Sequence, residues 1–163
     1  MAKNKEEKTN VMRVLEQKKI AYTAHTYPHE EGMEVDGVTV AKSMGFDPAI
    51  VFKTLVARGA SKQYYVFDVP VAENLDLKKA AKAVGEKSIE MIHQKELLPL
   101  TGYVHGGCSP VGMKKLFPTV FHSSAENLAA MIVSAGKIGY QVELAPHDLA
   151  ALVRAKFADI IVE

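Results

Sequence analysis

The sequence carries one cysteine, almost no net charge and no long apolar run, and each shortage removes a class of protein. Cys108 has no partner for an internal disulfide, and no cysteine pair with zinc-finger spacing exists. A reducing compartment suits such a chain. No stretch of about 18 apolar residues is present to span a bilayer, and the polar opening MAKNKEEKTN lacks the apolar segment of a secretory signal. The expectation is a cytoplasmic protein with no membrane association. With 20 basic residues against 19 acidic ones, the net charge of +1 gives no strong nonspecific hold on nucleic acid. DNA binding is not expected, and any polynucleotide contact has to rest on a local patch or on a partner. What remains is ordinary globular composition: 163 residues, 48% hydrophobic and 24% charged, fit one domain over residues 1–163 with a single core.

Apolar residues recur at helical spacing in several places. Val11, Val14 and Leu15 predict an amphipathic helix over 9–19. The segment 21–27 alternates as a strand until Pro28, and 29–34 reads as a polar loop. From Asp36, an acidic N-cap, Val38, Val40, Ala41 and Met44 predict a short helix that Gly45 stops. In 74–85, Asp76 caps, Leu77, Ala80, Ala81 and Val84 form the stripe, and Gly85 ends the helix. A helical turn is expected over 95–100 and a last helix over 146–155. Strand patterns occupy 50–57, 63–69, 88–92, 119–122, 131–134, 140–144 and 157–162, and Gly59-Ala60-Ser61-Lys62 turns the first two into a hairpin. Hairpins alternate with helical crossovers, so the expected fold is α/β: a mixed, strongly curved sheet or partial barrel with flanking helices.

The segment 50–57 (IVFKTLVA) is apolar on both faces apart from Lys53 and Thr54, as in a strand covered on both sides. A lysine there either snorkels to solvent or meets an anion or a developing oxyanion. Burial without such a partner would lower its pKa from the ordinary value of about 10.4. In Gly106-Gly107-Cys108-Ser109-Pro110 the glycines let the backbone approach a ligand and consecutive amides can cradle an anion or carbonyl, although a plain turn uses the same residues. Ser134-Ala135-Gly136-Lys137 offers a hydroxyl among small residues at a strand end, again with a turn as the simpler account. No metal site is expected from His25 and His29, because Pro28 breaks their geometry and no third ligand is spaced nearby. Cys108 with His105 has the makings of a thiol nucleophile, but a small buried cysteine explains it more simply. Lys78, Lys79, Lys82 and Lys87, with Lys114 and Lys115, read as a solvated face before they read as a phosphate-binding surface.

Several motifs in order resemble the YbaK family of trans-editing proteins, free-standing relatives of the editing domain inserted in many bacterial prolyl-tRNA synthetases. They are HTY at 25–27, FKTLV at 52–56, LDLKKAAKAVG at 75–85, TGYVHGGCSPVGMKK at 101–115, VSAGKIG at 133–139 and the closing FADII at 157–161. The resemblance implies a cofactor-free deacylase for mischarged Cys-tRNA(Pro) and other Cys-tRNA. Its partners would be the aminoacylated 3′ end of tRNA and prolyl-tRNA synthetase. It implies that Lys53 is the functional lysine and that Tyr27, Thr54, Gly106, Gly107 and Ser134 line the pocket for the aminoacyl group and terminal adenosine. In the family mechanism the substrate's own thiol attacks the aminoacyl ester and leaves as a cyclic thiolactone, so orientation and charge stabilisation suffice. This chain departs from better-known members at Asp36-Gly37, where they carry Phe-Gly, and at Ala135-Gly136-Lys137-Ile138, where they carry Gly-Gly-Lys-Arg. A deacylase for alanine or another small amino acid is the alternative within editing and needs a positioned water. A non-catalytic tRNA- or synthetase-binding module and a conventional cysteine hydrolase are the alternatives outside it.

Overall fold

The computed structural model describes residues 8–28 and 36–163. The predicted polar loop at 29–34, His29 included, lies outside the described residues.

Side-chain caps mark three of the five helix starts among the described residues. Helix α1 (Asn10–Gln17) starts where the Thr9 hydroxyl accepts from the Met12 N–H at 3.3 Å, and it buries Val11, Met12 and Leu15. It stops short of the predicted 19 because Lys19 takes a left-handed φ of 60°. Helix α2 (Gly37–Ser43) has Asp36 as N-cap, accepting from the Thr39 N–H at 3.1 Å. Helix α3 (Leu77–Val84) is capped by Asp76 and closed by Gly85 at φ 76°, as the sequence indicates. Helices α4 (Gln94–Thr101) and α5 (Pro146–Val153) complete the set.

The strands are β1 (Thr23–Thr26), β2 (Phe52–Gly59), β3 (Tyr64–Pro70), β4 (Ile89–Met91), β5 (Thr119–His122), β6 (Met131–Ser134), β7 (Tyr140–Leu144) and β8 (Lys156–Ala158). Strand β2 begins two residues later than its apolar run, because Asp47 accepts from the Ala49 N–H and Pro48–Ile50 forms a 3₁₀ turn. Strand β8 ends earlier than predicted. Beyond it the chain leaves β5 and pairs with the approach to α3, through Asp76 N–H to the Ile160 carbonyl and Val162 N–H to the Asn74 carbonyl.

The mixed sheet divides into two. One is antiparallel with order β1-β7-β6, and the other has order β4-β2-β3-β5-β8. In the larger sheet β2 is antiparallel to β3 and β4, while β3-β5 and β5-β8 are parallel. A parallel bridge from Val51 to Ile132 joins the sheets just ahead of β2. On one face of the larger sheet Ala57, Phe67 and Val69 pack with Ala80 and Ala81 of α3. On the other, Val56 and Val66 pack with Leu97, Cys108 and Phe117. Fully buried Phe67 and Phe121 each contribute roughly 1.5–3 kcal/mol by leaving water. Both faces are covered, and the polar side chains of Lys53 and Thr54 stand at the end of β2 that meets the second sheet.

Candidate active site

A cavity of about 520 Å³ opens where the start of β2 meets the smaller sheet. Its walls come from Asp36, Gly37 and Val40 of the α2 start, residues 51–55, Val71 after β3, Leu97 of α4, the segment holding His105, Gly106 and Cys108, and the β6–β7 turn with Ser134, Tyr140 and Gln141. Tyr27, just after β1, closes one side.

The β2–β3 register pairs Lys53 with Val69 and Thr54 with Asp68, so these neighbours point to opposite faces of the sheet. Both border the cavity because β2 begins there. Lys53 is half-buried, and among the described residues its ammonium has no hydrogen bond or ion pair. Burial lowers its pKa, and the negative fields of Asp36 and Glu73 only partly oppose this. A cation held against a cavity with no fixed counter-ion among the described residues is a ready receptor for an anion.

On the opposite face the Thr54 hydroxyl donates to Asp68 Oδ1 at 2.5 Å. Asp68 is wholly buried, and its Oδ2 has no hydrogen-bond partner among the described residues. Burial, only partly opposed by the Thr54 hydrogen bond, lifts the Asp68 carboxyl to about 7. Nearby Cys108 is also buried, and burial together with the Asp68 charge pushes its thiol up to about 12. At neutral pH the sulfur keeps its proton, which argues against Cys108 as a nucleophile despite His105 three residues earlier.

The paired glycines do different things. Gly106 borders the cavity in a left-handed conformation, φ 89°. Gly107 does not line the cavity: it is buried, and its N–H donates to the Val104 carbonyl at 3.0 Å. A Cβ on Gly107 would sit 3.2 Å from the Ile138 nitrogen, so this glycine lets the 102–118 segment lie against the β6–β7 turn. The Ser134 hydroxyl fastens the same contact, donating to the Gly107 carbonyl at 3.0 Å and accepting from the Gly136 N–H at 3.1 Å. Ser134 therefore faces the cavity with its only proton already committed.

The other sequence candidates lie elsewhere. His25 pairs with Glu143 at 2.7 Å, and among the described residues no group of three or more His, Cys, Asp or Glu is arranged to hold a metal ion. The Lys79 ammonium serves Asp159, Glu163 and the Ile161 carbonyl, and Lys115 stands over the Phe117 ring. Two cavity-region residues were missed by sequence reasoning. Asp68 is the one charge inside the apolar run YYVFDVP, and that anomaly was the available signal. Gln141, 9% exposed with no partner for Oε1 among the described residues, gave none.

A protein of Enterococcus faecalis, provisionally named Cys-tRNA(Pro)/Cys-tRNA(Cys) deacylase EbsC, is 46% identical over 161 residues, covering 98% of each chain. A solved structure described as a candidate trans-editing enzyme for prolyl-tRNA synthetase superposes with a TM-score of 0.79 at 24% identity, covering 94% of this chain and 95% of that one. A hypothetical protein of known structure superposes at 0.82 with 18% identity, covering 93% and 99%. These two share the fold, mixed α/β in two sheets without a closed barrel. No helix among the described residues is long and apolar enough to cross a membrane. The model of the aminoacyl-tRNA editing domain matches residues 29–152, three quarters of the sequence, and with the full-length relative it makes this chain a member of the aminoacyl-tRNA editing domain family.

Proposed function

We propose that this chain is an aminoacyl-tRNA deacylase that clears mischarged Cys-tRNA(Pro) and other Cys-tRNA, working as one editing domain over residues 1–163. The observation that carries the reading is Lys53, a half-buried ammonium with no ion pair among the described residues, facing a cavity of about 520 Å³. Such a volume suits a terminal adenosine with a small aminoacyl group. The charged end of an acylated tRNA supplies the missing anion: a terminal phosphate in the ground state and the ester oxyanion as carbon is attacked.

In this mechanism the substrate thiol attacks its own ester carbonyl, closure of a four-membered ring (Sγ, Cβ, Cα and the carbonyl carbon) gives the cyclic thiolactone, and the tRNA 3′ oxygen leaves as the hydroxyl after taking up the thiol proton. Lys53 meets the developing negative charge. Tyr27, Thr54, Gly106 and Ser134 bound the space in which thiol and ester are brought together, an advantage of orientation more than of chemistry. Gly107 acts one layer back, by seating the turn that carries Ser134. The Cys108 thiol stays protonated and takes no part.

A net charge of +1 leaves little nonspecific attraction for tRNA, so a synthetase, prolyl-tRNA synthetase by the sequence resemblance, delivers and identifies the substrate. The test is release of free amino acid or thiolactone from Cys-tRNA, Ala-tRNA and Ser-tRNA by the intact chain. Turnover of Cys-tRNA with Ala-tRNA and Ser-tRNA near background is expected. Faster release from Ala-tRNA would move the substrate to alanine, and no release from any of the three would leave a binding module.

A further inference from the structure

The proposed reaction needs a group to take the thiol proton, and the Thr54–Asp68 pair is built to do so. Thr54 borders the cavity, and its own proton is committed to Asp68 Oδ1 at 2.5 Å, so toward a ligand in the cavity its oxygen can act only as an acceptor. Behind it Asp68 is 0% exposed, and its Oδ2 has no partner among the described residues. An unsatisfied buried carboxyl costs stability, so a chain that keeps one is expected to use it.

We propose that Asp68 is a positioning residue that accepts the substrate's thiol proton through the Thr54 hydroxyl. This rests on the Cys-tRNA reading above. The substrate S–H bond breaks as its proton passes to Thr54 Oγ1, and the Thr54 proton passes to Asp68 Oδ1. The sulfur electron pair forms the S–C bond to the ester carbon. When the C–O bond to tRNA breaks, the proton returns along the same path to the departing 3′ oxygen, and Asp68 is again a carboxylate. Products are thiolactone and free tRNA, and no outside co-reactant is consumed.

The surroundings suit a carboxyl that changes charge near neutrality, and burial lifts it to about 7. From β2 the facing group is Thr54, and further along that face Arg58 is engaged by Glu90 at 3.0 Å and Glu96 at 3.5 Å. The 102–118 segment contributes Cys108, protonated up to about 12. Helix α4 contributes apolar Leu97, and in β5 the register partner is Phe121. Lys53 lies on the opposite face of β2, and His105 is the other titratable group of that segment on the cavity wall.

The test is single-turnover deacylation of Cys-tRNA from pH 5.5 to 8.5, corrected for spontaneous hydrolysis, by the wild type, Asp68→Asn, Thr54→Val, Thr54→Ser and His105→Asn. Expected is a wild-type rate that rises through about pH 7 and levels off. Asp68→Asn and Thr54→Val lose at least about tenfold at the plateau together with the rise, whereas Thr54→Ser and His105→Asn keep both within about threefold. Thr54→Ser separates loss of the hydroxyl from loss of packing. An Asp68→Asn rate within twofold of wild type with the rise intact overturns the relay, and loss of the rise in His105→Asn alone transfers the role to His105. A wild type inactive on Cys-tRNA sinks the substrate assignment and the relay with it, whereas an active wild type with an indifferent Asp68 sinks the relay alone.

Discussion

Two lysines and two carboxylates, one of each in the larger sheet and one of each on or just after α3, show what separates a structural charge from a functional one. Lys79 on α3 meets Asp159 at 3.1 Å, Glu163 at 3.2 Å and the Ile161 carbonyl at 2.9 Å, tying the end of the chain to the helix. Lys53, on the sheet itself, has no such partner among the described residues and faces the cavity. Glu86 accepts from the Ser61 N–H and hydroxyl and from the Tyr65 hydroxyl, which hold its carboxyl below the usual range. Asp68 receives one hydrogen bond and is lifted to about 7 by burial. Lys79 and Glu86 are completed by their own chain. Among the described residues Lys53 and Asp68 are left incomplete: Lys53 borders the cavity, where a ligand can reach it, and buried Asp68 meets the cavity only through Thr54.

The largest expected effect breaks the comparison at its carboxylates. The ordinary Asp pKa is 3.8 and the folded value is about 7, so between these limits the native state keeps a proton that the unfolded chain has lost. Its contribution to stability is full below about pH 4, falls as pH climbs toward 7, and levels off above. Asp68→Asn has no such titration. Relative to wild type it should gain about 2–3 kcal/mol between pH 5 and pH 8 in denaturant unfolding. A constant difference across that range would mean that Asp68 titrates normally.

Next in size are the glycines. Gly107→Ala places a methyl 3.2 Å from the Ile138 nitrogen, backbone that cannot turn aside, and should cost about 1–3 kcal/mol in thermal unfolding with a matching loss of turnover. Gly106→Ala has room but must hold φ 89°, at roughly 1–2 kcal/mol. Smaller still is Lys79→Ala, which removes a partly exposed network: a slight fall in Tm and turnover within twofold are expected. Turnover lost with the fold intact would erase the contrast with Lys53. The least effect belongs to Cys108→Ala, with turnover within twofold and only a small loss of packing, since the thiol stays protonated. An inactive Cys108→Ala that folds normally would restore a cysteine nucleophile.

Local chemistry explains which parts were readable in the sequence. Asp36, Asp76 and Gly85 mark helix limits because caps are made within a few residues, and the α2 and α3 boundaries follow from them. The start of β2 was hidden by the Asp47–Ala49 turn, a hydrogen bond that outweighs the strand preference of Ile50. The division into two sheets was not legible, because it depends on pairings such as Thr23 with Glu143, far apart in sequence. Lys53 stood out against its apolar neighbours. Asp68 was equally anomalous in YYVFDVP, but only the register that sets it beside Thr54 gives it a part. The two glycines look alike in sequence and differ in space, one on the cavity wall and one under the turn.

The central claim is that the Lys53 ammonium, without a hydrogen bond or ion pair among the described residues, meets the negative charge of the acylated tRNA end. The direct measurement is the single-turnover rate of Cys-tRNA deacylation at saturating protein for the wild type and Lys53→Ala, with unfolding curves showing both chains folded. A loss of roughly 100-fold or more is predicted, the usual consequence of removing one oxyanion-stabilising group. A Lys53→Ala rate within a factor of two of wild type would contradict the account.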